Sequence, residues 1–88
     1  MHLGIYRFEG NPDELLPAYD SLMQSMPPGK ISWHLCTVVP DGIVIYDTCP
    51  SEEAFVAFST GAGFRGALAQ VGLPEPTVTG QPVHNARP

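Results

Sequence analysis

The chain has 88 residues, with nine acidic side chains against four basic ones, for a formal charge of −5. The basic residues Arg7, Lys30, Arg65 and Arg87 are scattered, so no basic stripe exists to displace counterions from nucleic acid or to hold an anionic bilayer. Both partner classes are set aside. With 43% hydrophobic and 15% charged residues, residues 1–88 make one small domain, low in charge for the exterior of a free monomer.

His2–Phe8 (HLGIYRF) is rich in aliphatic and aromatic residues and reads as a first strand. Asn11-Pro12-Asp13-Glu14 opens a helix, with Asn as N-cap, proline in the first turn and acids at the positive end of the helix dipole. Leu15, Leu16, Tyr19, Leu22, Met23 and Met26 recur at three- and four-residue spacing and form its apolar stripe. Pro27-Pro28-Gly29 ends it.

Ile31–Val39 (ISWHLCTVV) and Ile43–Thr48 (IVIYDT) read as the second and third strands. Between them, Pro40-Asp41-Gly42 suits a three-residue hairpin loop with glycine in the left-handed position. That loop sets Val39 opposite Ile43, Val38 opposite Val44, Cys36 opposite Tyr46 and Leu35 opposite Asp47. Ser51 caps a second helix, whose apolar face is Ala54, Phe55, Phe58, Phe64, Leu68 and Val71. Thr60-Gly61-Ala62-Gly63 predicts a break inside it, and Gly72 with Pro74 ends it. Thr77–His84 (TVTGQPVH) is a fourth strand, in which Pro82 points to a sheet edge or a bulge because it cannot donate to a ladder.

The order β-α-β-β-α-β predicts an α+β, ferredoxin-like domain: a four-stranded antiparallel sheet with both helices on one face. The other face is then open. Apolar residues fall on both faces of the second and third strands, which calls for a second copy of the chain, and so for a homodimer. No apolar run is long enough to cross a bilayer, and Met1–Phe8 lacks a signal-peptide core and cleavage site, so a cytoplasmic protein is expected. Cys36 and Cys49 lack metal-ligand or redox spacing and are expected as reduced thiols.

Residues 47–58 (DTCPSEEAFVAF), then Phe64-Arg65-Gly66-Ala67-Leu68, Gly72-Leu73-Pro74 and Val83-His84, resemble the dimeric α/β-barrel superfamily, nearest to its antibiotic-biosynthesis monooxygenase-like branch. The resemblance implies two open sheet faces pressed together into a barrel, with a ligand chamber. Three departures accompany it. Cys49 stands where the oxygenase branches carry a Trp, and Leu68 where the haem-degrading branch carries its iron-ligating His. Phe58 and Gly63 stand where small quinol-oxygenase-like members carry His. Haem is therefore not expected.

Strand parity offers two inward-facing sets: Trp33, Leu35, Thr37, Ile45, Asp47 and Cys49, or His34, Cys36, Val38, Val44, Tyr46 and Thr48. The Trp position of the family lines the chamber and maps to Cys49, which favours the first set. Asp47 and His34 are the candidate catalytic residues, a carboxyl open to a raised pKa and an imidazole titrating near neutrality. The ordinary alternatives are a structural acceptor near a helix start and a hydrogen-bonded strand histidine.

Trp33, Tyr46, Arg7 and Cys49 are candidate substrate contacts: a stacking platform, two groups that hold an oxygen, and a thiol at the chamber wall. Each also has a structural reading, as packing, as an ion pair, or as an inert thiol. Tyr6 shares the reading given to Tyr46. No Gly-rich phosphate loop, nucleophile elbow or metal motif is present, so no cofactor and no metal is expected. The expected function is a small-molecule enzyme of monooxygenase-like or cyclase-like type. Its substrate is apolar and aromatic, held in a cofactor-free chamber. The alternative is a non-catalytic ligand-binding or dimerisation module of the same fold.

Overall fold

A computed structural model describes residues 1–25 and 33–87. The elements run β1 (His2–Glu9), α1 (Pro12–Ser25), β2 (His34–Val39), β3 (Gly42–Cys49), α2 (Glu52–Ser59), α3 (Ala62–Val71) and β4 (Thr77–Pro82). The strands form one antiparallel sheet in the order β2-β3-β1-β4. This is the expected ferredoxin-like α+β arrangement, with the second helix divided in two. The expected stop at Pro27-Pro28-Gly29 and the start of the second strand at Ile31 lie outside the described residues, as does Met26.

Local chemistry explains the element ends. Asn11 Oδ1 accepts from the Asp13 N–H at 3.0 Å, and α1 then runs through Pro17 to Ser25. Ser51 Oγ accepts from the Ala54 N–H at 3.1 Å and starts α2. The Thr60-Gly61 pair separates α2 from α3, and Gly72, at φ 83°, closes α3 in the left-handed region that a glycine adopts without strain. β4 pairs only with β1 and so lies at the edge, with Pro82 at its last position.

The core lies between the sheet and the helices. Tyr6, Phe8, Ile43 and Ile45 from the sheet pack with Leu15, Leu22, Phe55, Leu68 and Leu73. On β1 the alternation is clean, since His2, Gly4, Tyr6 and Phe8 are buried while Leu3, Ile5, Arg7 and Glu9 are not.

One expectation is corrected. The β2–β3 hairpin has a two-residue turn, Pro40-Asp41, and its register pairs Val39 with Gly42, Val38 with Ile43, Cys36 with Ile45, Leu35 with Tyr46 and His34 with Asp47. Neither turn residue has a positive φ, and neither does Gly42. Gly42 belongs to the strand, where a Cβ would stand 2.0 Å from the Phe8 carbonyl oxygen. Close backbone approach, not left-handed geometry, is what requires glycine there.

Candidate functional site

The register shift decides which side chains meet. A one-residue slip moves every side chain of a strand to the other face. The favoured inward set therefore divides: Asp47, Ile45 and Cys49 turn towards the helices, while Leu35 and Thr37 lie opposite, on the open face. His34 and Asp47, assigned to different sets by the expected register, face each other directly across β2 and β3.

His34 Nδ1 is hydrogen-bonded to Asp47 Oδ1. Its other ring nitrogen, Nε2, lies 2.5 Å from the Tyr19 hydroxyl of α1. The Tyr19 and His34 rings are stacked at 8° with centroids 5.8 Å apart. With Nδ1–H donating to the carboxylate, Nε2 is the acceptor and the Tyr19 O–H donates to it. The result is a chain of three polar groups running from solvent to a buried carboxyl.

Asp47 is 5% exposed, and burial pushes its carboxyl above the usual carboxylate range, partly countered by the hydrogen bond and charge of His34. Burial likewise raises the Tyr19 phenol, with Cys36, Asp47 and Asp20 adding to it, so its hydroxyl stays protonated and able to donate. Tyr6 lies on the same face, one strand over. Its phenol is raised strongly, first by burial and then by Asp47 and Cys49. The Tyr6 hydroxyl is buried and has no hydrogen-bond partner among the described residues.

The remaining candidates are placed as follows. Cys49 is half-buried beside His2 on the helix-facing side, and burial with Asp47 nearby raises its thiol, the opposite of an activated nucleophile. Trp33 and Tyr46 meet on the open face, in a shallow depression of about 330 Å³ that Leu3, Leu35 and Thr48 also line. Arg7 lies at the hairpin end and holds Asp41 with two contacts of 3.0 and 3.2 Å, so it partners the turn. The sheet thus separates Trp33 and Tyr46 from Asp47, His34 and Cys49. Among the described residues no three His, Cys, Asp or Glu side chains come together to hold a metal, and no helix is long and apolar enough to cross a membrane.

Tyr19 is the residue that sequence reasoning assigned only to packing. Its place in the α1 stripe gave no sign of the hydroxyl's partner, because that partner comes from β2, an edge strand of the sheet.

No protein-family model matches this sequence, and no curated protein matches it. Solved structures do resemble its fold along nearly the whole length. A candidate antibiotic biosynthesis monooxygenase from Deinococcus radiodurans aligns over 100% of this chain and 97% of its own, at TM-score 0.67 and 11% identity. Rv0793 from Mycobacterium tuberculosis aligns over 98% of both chains, at TM-score 0.67 and 20% identity. SnoaB, a cofactor-independent oxygenase from Streptomyces nogalater, aligns over 99% of this chain and 96% of its own, at TM-score 0.64 and 14% identity. This chain has the fold of the antibiotic-biosynthesis monooxygenase-like proteins.

Proposed function

We propose that this protein is a small-molecule enzyme that takes a proton from an apolar, hydroxylated aromatic substrate, with His34 as base and Asp47 orienting it. The observation that carries this reading is the hydrogen-bonded chain Tyr19–His34–Asp47. A carboxylate on Nδ1 fixes the imidazole tautomer, leaves Nε2 as the acceptor and stabilises the imidazolium that forms when Nε2 takes a proton. Tyr19 occupies Nε2 and is itself half-exposed. A substrate proton therefore reaches His34 through the Tyr19 oxygen, as Tyr19 passes its own proton inward. The charge left on the outer groups faces solvent, while the Asp47 carboxyl at the inner end of the chain is buried.

The likeness in fold to a cofactor-independent oxygenase supports molecular oxygen as the second substrate. Deprotonating a phenol, or a carbon beside a carbonyl, raises the electron density that oxygen needs; the same anion serves ring closure in a cyclase. The open face, with Trp33, Leu35 and Tyr46, is where a second copy packs to make the homodimer, in keeping with its apolar exposure.

The test is oxygen uptake, and product formation, with a panel of polycyclic phenols. Asp47→Asn and His34→Gln each lower kcat by on the order of 100-fold or more, the range of a lost general base. Turnover that persists in both variants defeats the assignment. One observation favours the non-catalytic alternative: Phe55, Phe58 and Phe64 fill the layer above Tyr6. That reading predicts saturable binding of the same phenols without turnover.

A further inference from the structure

Two glycines face each other across the pairing of β1 and β4. Gly4 pairs with Gly80, and on its other side Gly4 pairs with Asp47. A side chain on either glycine would strike the ring of Phe55: a Cβ on Gly4 would lie 2.8 Å from Phe55 Cε1, and one on Gly80 2.6 Å from Phe55 Cε2. The paired glycines are thus a bare patch of sheet, and one aromatic ring lies flat enough on it to exclude even a methyl group. Glycine weakens a strand, and a facing pair of them marks a place where something must come close to the backbone.

The patch has polar ends. At one end the Tyr6 hydroxyl comes within 2.9 Å of where a Gly4 Cβ would stand, so it shares the space above Gly4 with the edge of the Phe55 ring. Asp47 flanks Gly4 from the neighbouring strand. At the other end His2 Nε2 comes within 2.7 Å of the Gly80 Cβ position, and the His2 ring centroid is 5.1 Å from that of Phe55. Phe55 therefore lies between two groups that can hydrogen-bond, and it can bond to neither.

Tyr6 is the second, independent sign. It is 1% exposed and its hydroxyl has no partner, although a phenylalanine would fill the same volume. Buried hydroxyls are nearly always paired, and an unpaired one is destabilising. Its neighbours are the rings of Phe55, Phe58 and Phe64, none of which accepts a conventional hydrogen bond. Among the described residues the hydroxyl is a buried donor with no oxygen beside it.

We propose that Gly4 and Gly80 form the floor of a slot for one planar hydroxylated ring, whose oxygen accepts from Tyr6 and donates to Asp47, and which Phe55 fills until that ring displaces it. Phe55 is carried by α2, an eight-residue helix separated from α3 by the Thr60-Gly61 break. The slot sits next to the Tyr19–His34–Asp47 chain through their common member, Asp47. This assignment rests on the proposed enzymatic reading for the hydroxylated nature of the ligand, and sharpens it by naming what orients that hydroxyl.

The experiment compares two probes, 2-naphthol and naphthalene, which share the ring system and differ by the hydroxyl. Each is titrated by fluorescence into the wild-type protein and into Tyr6→Phe and Phe55→Leu. In Tyr6→Phe the dissociation constant of 2-naphthol rises about tenfold, the size of one buried hydrogen bond, while that of naphthalene stays within about twofold. In Phe55→Leu, where less must be displaced, both probes bind about tenfold more tightly.

The proposal is overturned if Tyr6→Phe weakens both probes alike or neither. It is also overturned if wild type and Phe55→Leu bind neither probe saturably. Binding is read without turnover, so the two readings fail separately. Tyr6-dependent binding of 2-naphthol by a protein that consumes no oxygen with any phenol removes the enzyme and keeps the slot. Turnover unchanged in Tyr6→Phe removes the slot and keeps the enzyme.

Discussion

Along β3 the side chains leave the backbone in two directions: Ile43, Ile45, Asp47 and Cys49 meet the helices, while Val44, Tyr46 and Thr48 point away from them. On the covered side a few polar groups are sealed among apolar ones, and Asp47, His34 and Tyr19 satisfy one another there. On the open side the situation is reversed, with apolar groups left to solvent: Leu35 is 57% exposed and Trp33 38%. The contrast teaches that the two faces serve different ends. Burial strengthens electrostatic interactions and shifts pKa values, and the raised Asp47 carboxyl lies under the helices. An exposed apolar surface is stabilised by being covered, and the apolar side chains left to solvent lie on the other side.

The largest test of this contrast is a pair of truncations. Phe8, wholly buried, loses about 3–5 kcal/mol of stability on Phe8→Ala, at any protein concentration. Leu35→Ala removes a mostly exposed side chain, and the isolated chain loses less than about 1 kcal/mol. If copies associate through the open face, the cost of Leu35→Ala grows with protein concentration, and native mass spectrometry shows a loss of dimer. Urea unfolding across a hundredfold concentration range reads both effects; equal costs at the two positions would erase the distinction between the faces.

A second test concerns the buried carboxyl. Because burial raises the Asp47 value in the folded state, the folded protein binds that proton more tightly than the unfolded chain does. The contribution is complete at low pH. It is lost as pH rises from the ordinary carboxyl value of 3.8 through the raised folded value. Asp47→Asn cannot titrate, so its stability lacks this downward slope, and wild type and variant converge or cross as pH rises. An unchanged slope in the variant would show that Asp47 is not the group under strain.

The smallest effect is at Tyr19. Tyr19→Phe deletes one hydrogen bond at a half-buried site and costs about 0.5–1.5 kcal/mol. The His34 imidazole then loses its outer partner, and the chemical shift of its Nε2, followed by NMR at one pH, moves; a shift identical to wild type would detach Tyr19 from the chain.

Most of the fold could be read from the residues. Alternation on His2–Phe8, the cap at Asn11, the cap at Ser51 and the glycines at 61 and 72 all carry local signals, and local signals determine element type and ends. The site was harder, for two physical reasons. Pro40-Asp41-Gly42 permits either a three-residue loop or a two-residue turn followed by a strand glycine. The choice depends on Gly42 pressing against the Phe8 carbonyl, a contact made by a strand far away in sequence. Once that choice is wrong, parity sends His34 and Asp47 to opposite faces. Tyr19 and His34 meet only because α1 packs over the sheet beside β2, and no spacing along the chain encodes that meeting.

The two-residue turn at Pro40-Asp41 therefore does more than reverse the chain. It acts as a counting device: an even number of residues separates His34 from Asp47, and only that count lets an imidazole and a carboxyl share a cross-strand position. Drawing Gly42 into a three-residue loop would present Leu35 to Asp47 and turn His34 outward, leaving a buried acid with no partner while every residue of the site was still present. Among proteins of this shape, those with a two-residue turn here should bring the same two cross-strand positions together before any residue is compared.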